Sequence, residues 1–244
     1  MWLSSTSQCN DVNESICTNF VYDRSVFGRT FTEDANFVCT HAVKRTWLST
    51  VYQIGACSTL LTGPISDKIG RRNVIQALTI GVFVFSSLTQ LFLQFINMSI
   101  DAKFALLLIN QLVLGMDAYN LVFLLLMELT SSTHTSFAGN LALVTFTLGE
   151  IVVTIFAYVV YDWLNLKWLI TGYLTLILPY LYFIPESPYW LFSEKKYDQL
   201  EACLRKIATT NGRSDTQWLP YYIQLIQDPR IALRRVTKKT LLSL

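Results

Sequence analysis

Apolar residues fall in five long runs, 47–66, 73–96, 104–127, 137–160 and 163–184, each of 20 to 24 residues. The segments between them are short and polar. A helix rises about 1.5 Å per residue, so about 20 residues cross the roughly 30 Å hydrocarbon core of a bilayer. Helices in a soluble core are shorter, about 11–12 residues, and keep a polar face. The pattern predicts an all-α integral membrane protein with five spanning helices. It divides the chain into a segment 1–46, a membrane region 47–184 and a tail 185–244. In the tail, Leu191, Tyr197, Leu200, Leu204 and Ile207 recur at helical spacing among charged residues. That spacing predicts one amphipathic helix, closed by Asn211-Gly212.

Composition agrees with a membrane chain, since 52% of residues are hydrophobic and 15% are charged. The net charge of +2 gives no reason to expect a nucleic-acid partner. His41 and His134 fall on opposite sides of the predicted membrane, which leaves no histidine-based catalytic site. The two histidines and five cysteines lack zinc-ligand spacing, and the glycines of 63–70 have the wrong spacing to cradle a phosphate. Catalysis, a bound metal, a cofactor and ATP-driven transport are therefore not expected.

Orientation rests mainly on Cys9, Cys17 and Cys39 and on the sequon Asn13-Glu14-Ser15, all ahead of the first run. They suit an oxidising extracellular compartment, with a glycan on Asn13. Three is an odd number, so one thiol stays unpaired or pairs outside the chain. A second sequon, Asn97-Met98-Ser99, lies too near the membrane to be modified. Basic residues beside the membrane divide evenly, with Lys68, Arg71, Arg72, Lys195 and Lys196 on one side. Arg29, Lys44, Arg45, Lys103 and Lys167 are on the other, so the positive-inside rule does not choose between the two orientations. The tail from 185 carries ten Lys/Arg against six Asp/Glu, which favours a cytoplasmic tail. Met1 is followed by polar residues rather than by a cleavable signal, and a spanning helix upstream is expected.

Two motifs then stand out. Gly63-Pro-Ile-Ser-Asp67-Lys-Ile-Gly70-Arg71-Arg72, between the first two runs, resembles the loop motif of the major facilitator superfamily. Pro185-Glu186-Ser187-Pro188-Tyr189-Trp190-Leu191, after the last run, resembles the signature of the organic cation/anion/carnitine transporter family. Tyr22-Asp23-Arg24-Ser25, Phe137-Ala138-Gly139 and Phe146-Thr147-Leu148-Gly149 are similar to the same family in order and spacing. The resemblance implies a major-facilitator-type helical bundle in which this chain supplies family helices two to six, an incomplete set. It also implies a cytoplasmic helical linker in the tail. Family members rock two six-helix halves about a central site, so the second half, or a partner chain, is an implied partner. A longer protein is the expected source of these residues, with a truncated product as the alternative.

The polar loop has a mechanical reading of its own. Gly70 permits a tight turn by tolerating positive φ, and Arg71 and Arg72 open the next helix from the water side. Asp67 is placed to pair with Arg71 or Arg72, or to accept from a helix N-terminus. Gly55, Thr59 and Gly63 make a small-residue ridge at i, i+4, i+8 for close helix packing. The resemblance adds that this loop latches the two halves together, with Glu128 and Glu186 in the same charge cluster. Two positions depart from the family pattern, Thr135 and Tyr189, each where an arginine is usual. Glu128 and Glu186 then look for Arg71 or Arg72 instead.

Charges inside a spanning run are costly and invite a functional reading. Drawn as one continuous helix, the third run places Asn110, Asp117 and Glu128 within about 20° of one line, with Asn120 about 60° away. In the fourth run Thr147, Glu150, Thr154 and Tyr158 share a face. Two carboxylates, with no Lys or Arg in those two runs, form a lining suited to cations. Tyr119, Phe123, Phe146 and Tyr158 are available for cation–π contact. The sequence thus predicts a plasma-membrane, multi-pass carrier of small organic ions, cations or zwitterions favoured, working by alternating access. Asp117, Glu150, Asn120 and Tyr158 are the candidate substrate contacts. Gly63, Asp67, Gly70, Arg71, Arg72, Glu128 and Glu186 are the candidate gate. The alternative is a non-transporting product that assembles with a full-length carrier and regulates it.

Overall fold

A computed structural model describes residues 24, 28–34, 37 and 42–227. Asn13, Cys9, Cys17 and Cys39 lie outside the described residues. Among those described, all regular structure is helical. The first six helices are α1 (Phe31–Asp34), α2 (Ala42–Ala56), α3 (Thr59–Ile69), α4 (Arg71–Phe95), α5 (Ile100–Gly115) and α6 (Tyr119–Leu129). They are followed by α7 (Thr135–Val159), α8 (Trp163–Ile177), α9 (Tyr180–Phe183), α10 (Pro188–Ser193), α11 (Tyr197–Thr210) and α12 (Asp215–Gln227). The chain divides into two compact units, Met1–Ser187 and Pro188–Leu244. Among the described residues, four stretches are long and apolar enough to cross a membrane: Arg71–Phe95, Ile100–Leu129, Thr135–Val159 and Trp163–Ser193.

The first apolar run becomes two helices, α2 and α3, interrupted at Cys57 and Ser58. At the break the backbone tightens to i→i−3 bonds, Cys57 to Ile54 at 3.1 Å, Ser58 to Gly55 at 2.9 Å and Leu61 to Ser58 at 2.8 Å. Such tightening is a usual cause of a helix kink. Pro64 lies further on, inside α3, where it has no N–H to return to the Leu60 carbonyl.

The third run is also interrupted, between α5 and α6. Gly115 ends one helix, and the Asp117 carboxylate accepts the Tyr119 N–H at 3.1 Å as the next begins. A short acidic side chain that bonds its own downstream backbone competes with continuous helix.

These interruptions flank the closest helix crossing. α2 and α5 meet at Gly55 and Gly115 with backbone on backbone. A Cβ on Gly55 would lie 2.2 Å from the Leu112 carbonyl oxygen, and one on Gly115 would lie 2.2 Å from that of Tyr52. The predicted ridge of Gly55, Thr59 and Gly63 is therefore corrected. The break separates α3 from α2, Gly55 meets Gly115, and a Cβ on Gly63 would meet nothing within 4 Å.

At the end of the bundle where α2, α5 and α8 begin, Phe37 (2% exposed), Leu48 and Leu107 form a core with Phe31, Leu93 and Phe104 against it. Phe31 meets Trp163 edge-on at 5.2 Å and Phe37 at 5.3 Å. Trp163 Nε1 donates to Asp34 at 2.8 Å, and Arg29 and Arg24 pair with Asp34 and Glu33. The aromatics dominate this docking. Burying a Phe contributes about 1.5–3 kcal/mol, whereas the ion pairs of side chains as exposed as Arg24 and Arg29 are screened by water. Ser99 caps α5 by accepting the Ala102 N–H at 3.3 Å, and Asp162 caps α8 by accepting the Leu164 N–H at 2.8 Å. At the opposite end Val74, Ile75, Ala118, Leu121 and Leu125 pack together beneath the polar loop.

The second unit departs from the single amphipathic helix expected. Its apolar stripe is split between α10 and α11. Lys195 takes φ 61, so that Lys196 N–H reaches the Leu191 carbonyl at 3.0 Å and Lys195 N–H reaches that of Phe192 at 3.2 Å. This is a Schellman closure with lysine where glycine is usual. The same closure ends α11 at Gly212 (φ 67), where Arg213 N–H bonds Ala208 at 2.9 Å. Trp190, Leu191, Leu200 and Tyr222 make the core, with Lys196 Nζ 4.2 Å from the Trp190 ring centre. Tyr222 donates to the Tyr197 carbonyl at 2.9 Å, and burial raises its phenol pKa.

Candidate functional site

The polar loop contracts to one residue. Gly70 ends α3 and begins α4 at φ 109, ψ 143, a conformation essentially reserved for glycine. The first two N–H groups of α4, those of Arg71 and Arg72, lack partners within the helix. Both donate to Glu186 Oε1, at 2.9 and 3.1 Å, and Ser187 N–H joins them at 3.0 Å. Glu186 therefore caps α4 across 115 residues of sequence. A carboxylate at a helix N-terminus is favoured both by charged hydrogen bonds and by the helix dipole.

The Arg71 side chain runs inward. Nε donates to Glu128 Oε2 at 2.7 Å, Nη2 lies 3.2 Å from Asp67 Oδ1, and Nη1 donates to Ser66 Oγ at 3.3 Å. Ser187 Oγ donates to the same Glu128 oxygen at 2.6 Å. Arg71 and Glu128 are only 12% and 15% exposed at their side chains. Removing one partner of such a buried pair costs up to about 3–5 kcal/mol, because the other charge is stranded. The structure thus brings Asp67, Gly70, Arg71, Glu128 and Glu186 together and joins Arg72 to them through its backbone. Gly63 enters only through its carbonyl, which accepts from Ser66 Oγ at 2.7 Å. Ser66 and Ser187, both fully buried, complete the cluster, although the pattern of charges along the sequence does not single them out. Their place within the two motifs is the signal that marks them.

Asn110, Asp117 and Glu128 do not form the stripe that a continuous third helix would give. The interruption at 116–118 breaks the wheel, so Asn110 and Glu128 cannot be aligned through Asp117. Asn110 is fully buried, and its amide has no hydrogen-bond partner among the described residues. Asp117 is exposed at the interruption, and among the described residues it forms no ion pair. Asn120 donates to Thr59 Oγ1 at 3.3 Å, linking α6 to the start of α3. Glu150, expected to be buried, lies on the exposed face of α7 with Thr154 and Tyr158, the latter 77% exposed. Beside Asp117, Tyr119 stacks on Phe123 at 6.4 Å and meets Phe146 of α7 at 5.3 Å. Glu150 stands one turn along α7 from Phe146.

Long apolar helices joined by very short connections, three of the runs interrupted, and a capped charge cluster at one end define a multi-pass membrane protein of the major facilitator type. Residues 5–228 match the family described as sugar (and other) transporter, and the chain belongs to that family. It is 30% identical over 201 residues to the solute carrier family 22 member 4 of Mus musculus, an alignment covering 82% of this chain and 35% of that protein. It is 29% identical over 204 residues to the organic cation/carnitine transporter 2 of Mus musculus, covering 82% and 35%. With the organic cation transporter protein of Drosophila melanogaster it shares 26% identity over 196 residues, covering 80% and 35%. The resemblance read from the two motifs agrees with these relatives, and the family is one of transporters rather than enzymes. The chain spans about 35% of the length of the curated relatives it matches.

Proposed function

We propose that these residues are part of a secondary transporter for small organic ions, cations or zwitterions favoured, that works by alternating access in the plasma membrane. The observation that carries the proposal is the placing of Asp117. Its carboxylate is exposed at a break between two helices, without an ion pair among the described residues, beside the aromatic group Tyr119–Phe123–Phe146. Broken helices are where carriers of this general kind hold small solutes. A carboxylate next to ring faces attracts an ammonium group through both charge and the ring quadrupole. Glu150, one turn from Phe146 and exposed, is the second acid of this lining; Asn120 on α6 and Tyr158, two turns further along α7, are its remaining candidate contacts. The relatives' own names point to organic cations and carnitine.

The gate in this reading is the loop 63–72 with Glu128 and Glu186. Residues 1–46 are extracellular and bear the glycan on Asn13, while 185–244 form a cytoplasmic helical linker. Lipid surrounds the helices, and the remainder of the carrier completes the cavity. The test is uptake by the complete protein. Asp117→Asn should depress entry of a quaternary ammonium such as tetraethylammonium at least tenfold more than entry of an organic anion. Equal loss of both, at normal surface expression, would refute the charge selectivity.

A further inference from the structure

We propose that Gln76 is a positioning residue for the cluster at Gly70, because it stands in for a hydrogen-bond donor that Pro185 lacks. This rests on the reading of the 63–72 loop as a gate only as far as transport is concerned; the geometry stands by itself. α9 ends at Phe183, and the chain leaves it extended through Ile184. In a continuing helix the Leu181 carbonyl would receive the N–H of residue 185, but residue 185 is proline and has none. The Tyr182 carbonyl would receive the N–H of Glu186, which the extended exit carries out of reach. A helix end near a membrane surface does not leave such carbonyls bare without cost.

α4 supplies both missing donors. Gln76 Nε2 donates to Leu181 O at 2.7 Å, and Arg72 Nη2 donates to Tyr182 O at 3.1 Å. The two side chains are spaced i, i+4 on one face of α4. Glu186, four and five residues beyond those carbonyls, returns to cap the N-terminus of the same helix through the Arg71 and Arg72 N–H groups. The two helix ends thus cap each other. The start of α4 is closed by a side chain from beyond α9, and the end of α9 is closed by side chains from α4. The bond from Gln76 fixes where the stiff Pro185 segment begins, and so where the Glu186 carboxylate falls. Gln76 lies outside both motifs that the sequence displays.

The experiment compares Gln76→Glu, Gln76→Leu, Gln76→Lys and Glu186→Gln in the complete protein, purified into phosphatidylcholine nanodiscs. Gln76→Glu keeps the shape but points an acceptor at a carbonyl; Gln76→Lys keeps a donor. Amide hydrogen exchange at Arg71 and Arg72 reads the Glu186 cap directly. It should quicken about tenfold in Gln76→Glu and Gln76→Leu and stay near the parent rate in Gln76→Lys. In cells, maximal uptake should fall several-fold in the first two with KM unchanged, and recover in Gln76→Lys. Unchanged exchange in Gln76→Glu, while Glu186→Gln exchanges faster, would overturn the role of Gln76 and leave the gate reading intact. Faster exchange in Gln76→Glu and Glu186→Gln without any loss of uptake would uphold the positioning and refute the gate.

Discussion

Adding one methyl group at Gly55 should force α2 and α5 apart. The new Cβ would lie 2.2 Å from the Leu112 carbonyl oxygen and 3.0 Å from the Gly115 Cα. Both are backbone atoms, so no side chain can swing away, and the helices must separate by about 1 Å to reach ordinary contact. A gap of that size forfeits a quarter to a half of the dispersion energy of each affected atom pair. Overpacking of a rigid contact costs about 1–3 kcal/mol, and the upper end applies where only backbone yields. Against this, alanine in a helix gains about 1 kcal/mol over glycine. The net loss of about 2 kcal/mol corresponds to a fall in Tm of about 4–8 °C for a chain of this size. Gly63→Ala and Gly149→Ala are the controls, since a Cβ at either meets nothing within 4 Å. They should hold Tm or raise it by about 2–4 °C through propensity alone. The assay is size-exclusion of a fluorescent fusion after heating in detergent. The double variant Gly55→Ala/Gly115→Ala should lose less than the sum of the singles, because one separation relieves both clashes. A Gly55→Ala protein within about 2 °C of Gly63→Ala would refute the close crossing.

Two further perturbations test other parts of the structure. Lys195 holds φ 61 at the close of α10, a left-handed position that costs a non-glycine residue about 1–2 kcal/mol; Lys195→Gly should slow exchange of the Lys196 N–H, which bonds Leu191, by about fivefold, and no change would mean that the turn carries no strain. Asn110 is buried with its amide unpartnered among the described residues, and such groups cost about 1–3 kcal/mol each. Asn110→Leu should therefore keep or raise Tm in the same heating assay, and a fall of more than about 4 °C would show that the amide is hydrogen-bonded in the working protein.

The membrane class, the number of apolar runs and their approximate ends follow from hydrophobic length alone, because only about 20 apolar residues satisfy a bilayer. The turn at Gly70 is equally legible, since a glycine between Asp67-Lys-Ile and Arg71-Arg72 marks both a chain reversal and a helix start. Where the third run breaks is present but quiet. Gly115 and Asp117 are ordinary helix-end signals, submerged in a run that a lipid-facing average reads as continuous, and the break at Cys57 and Ser58 has no such mark. Tertiary structure decided the rest. That Gly55 meets Gly115 rather than extending a ridge to Gly63 depends on which faces two helices present after a break. That Glu186 closes α4 while Gln76 closes α9 depends on the approach of segments more than a hundred residues apart. Hydrogen bonds of that reach leave no periodicity in a sequence, because the spacing they satisfy is in space and not along the chain.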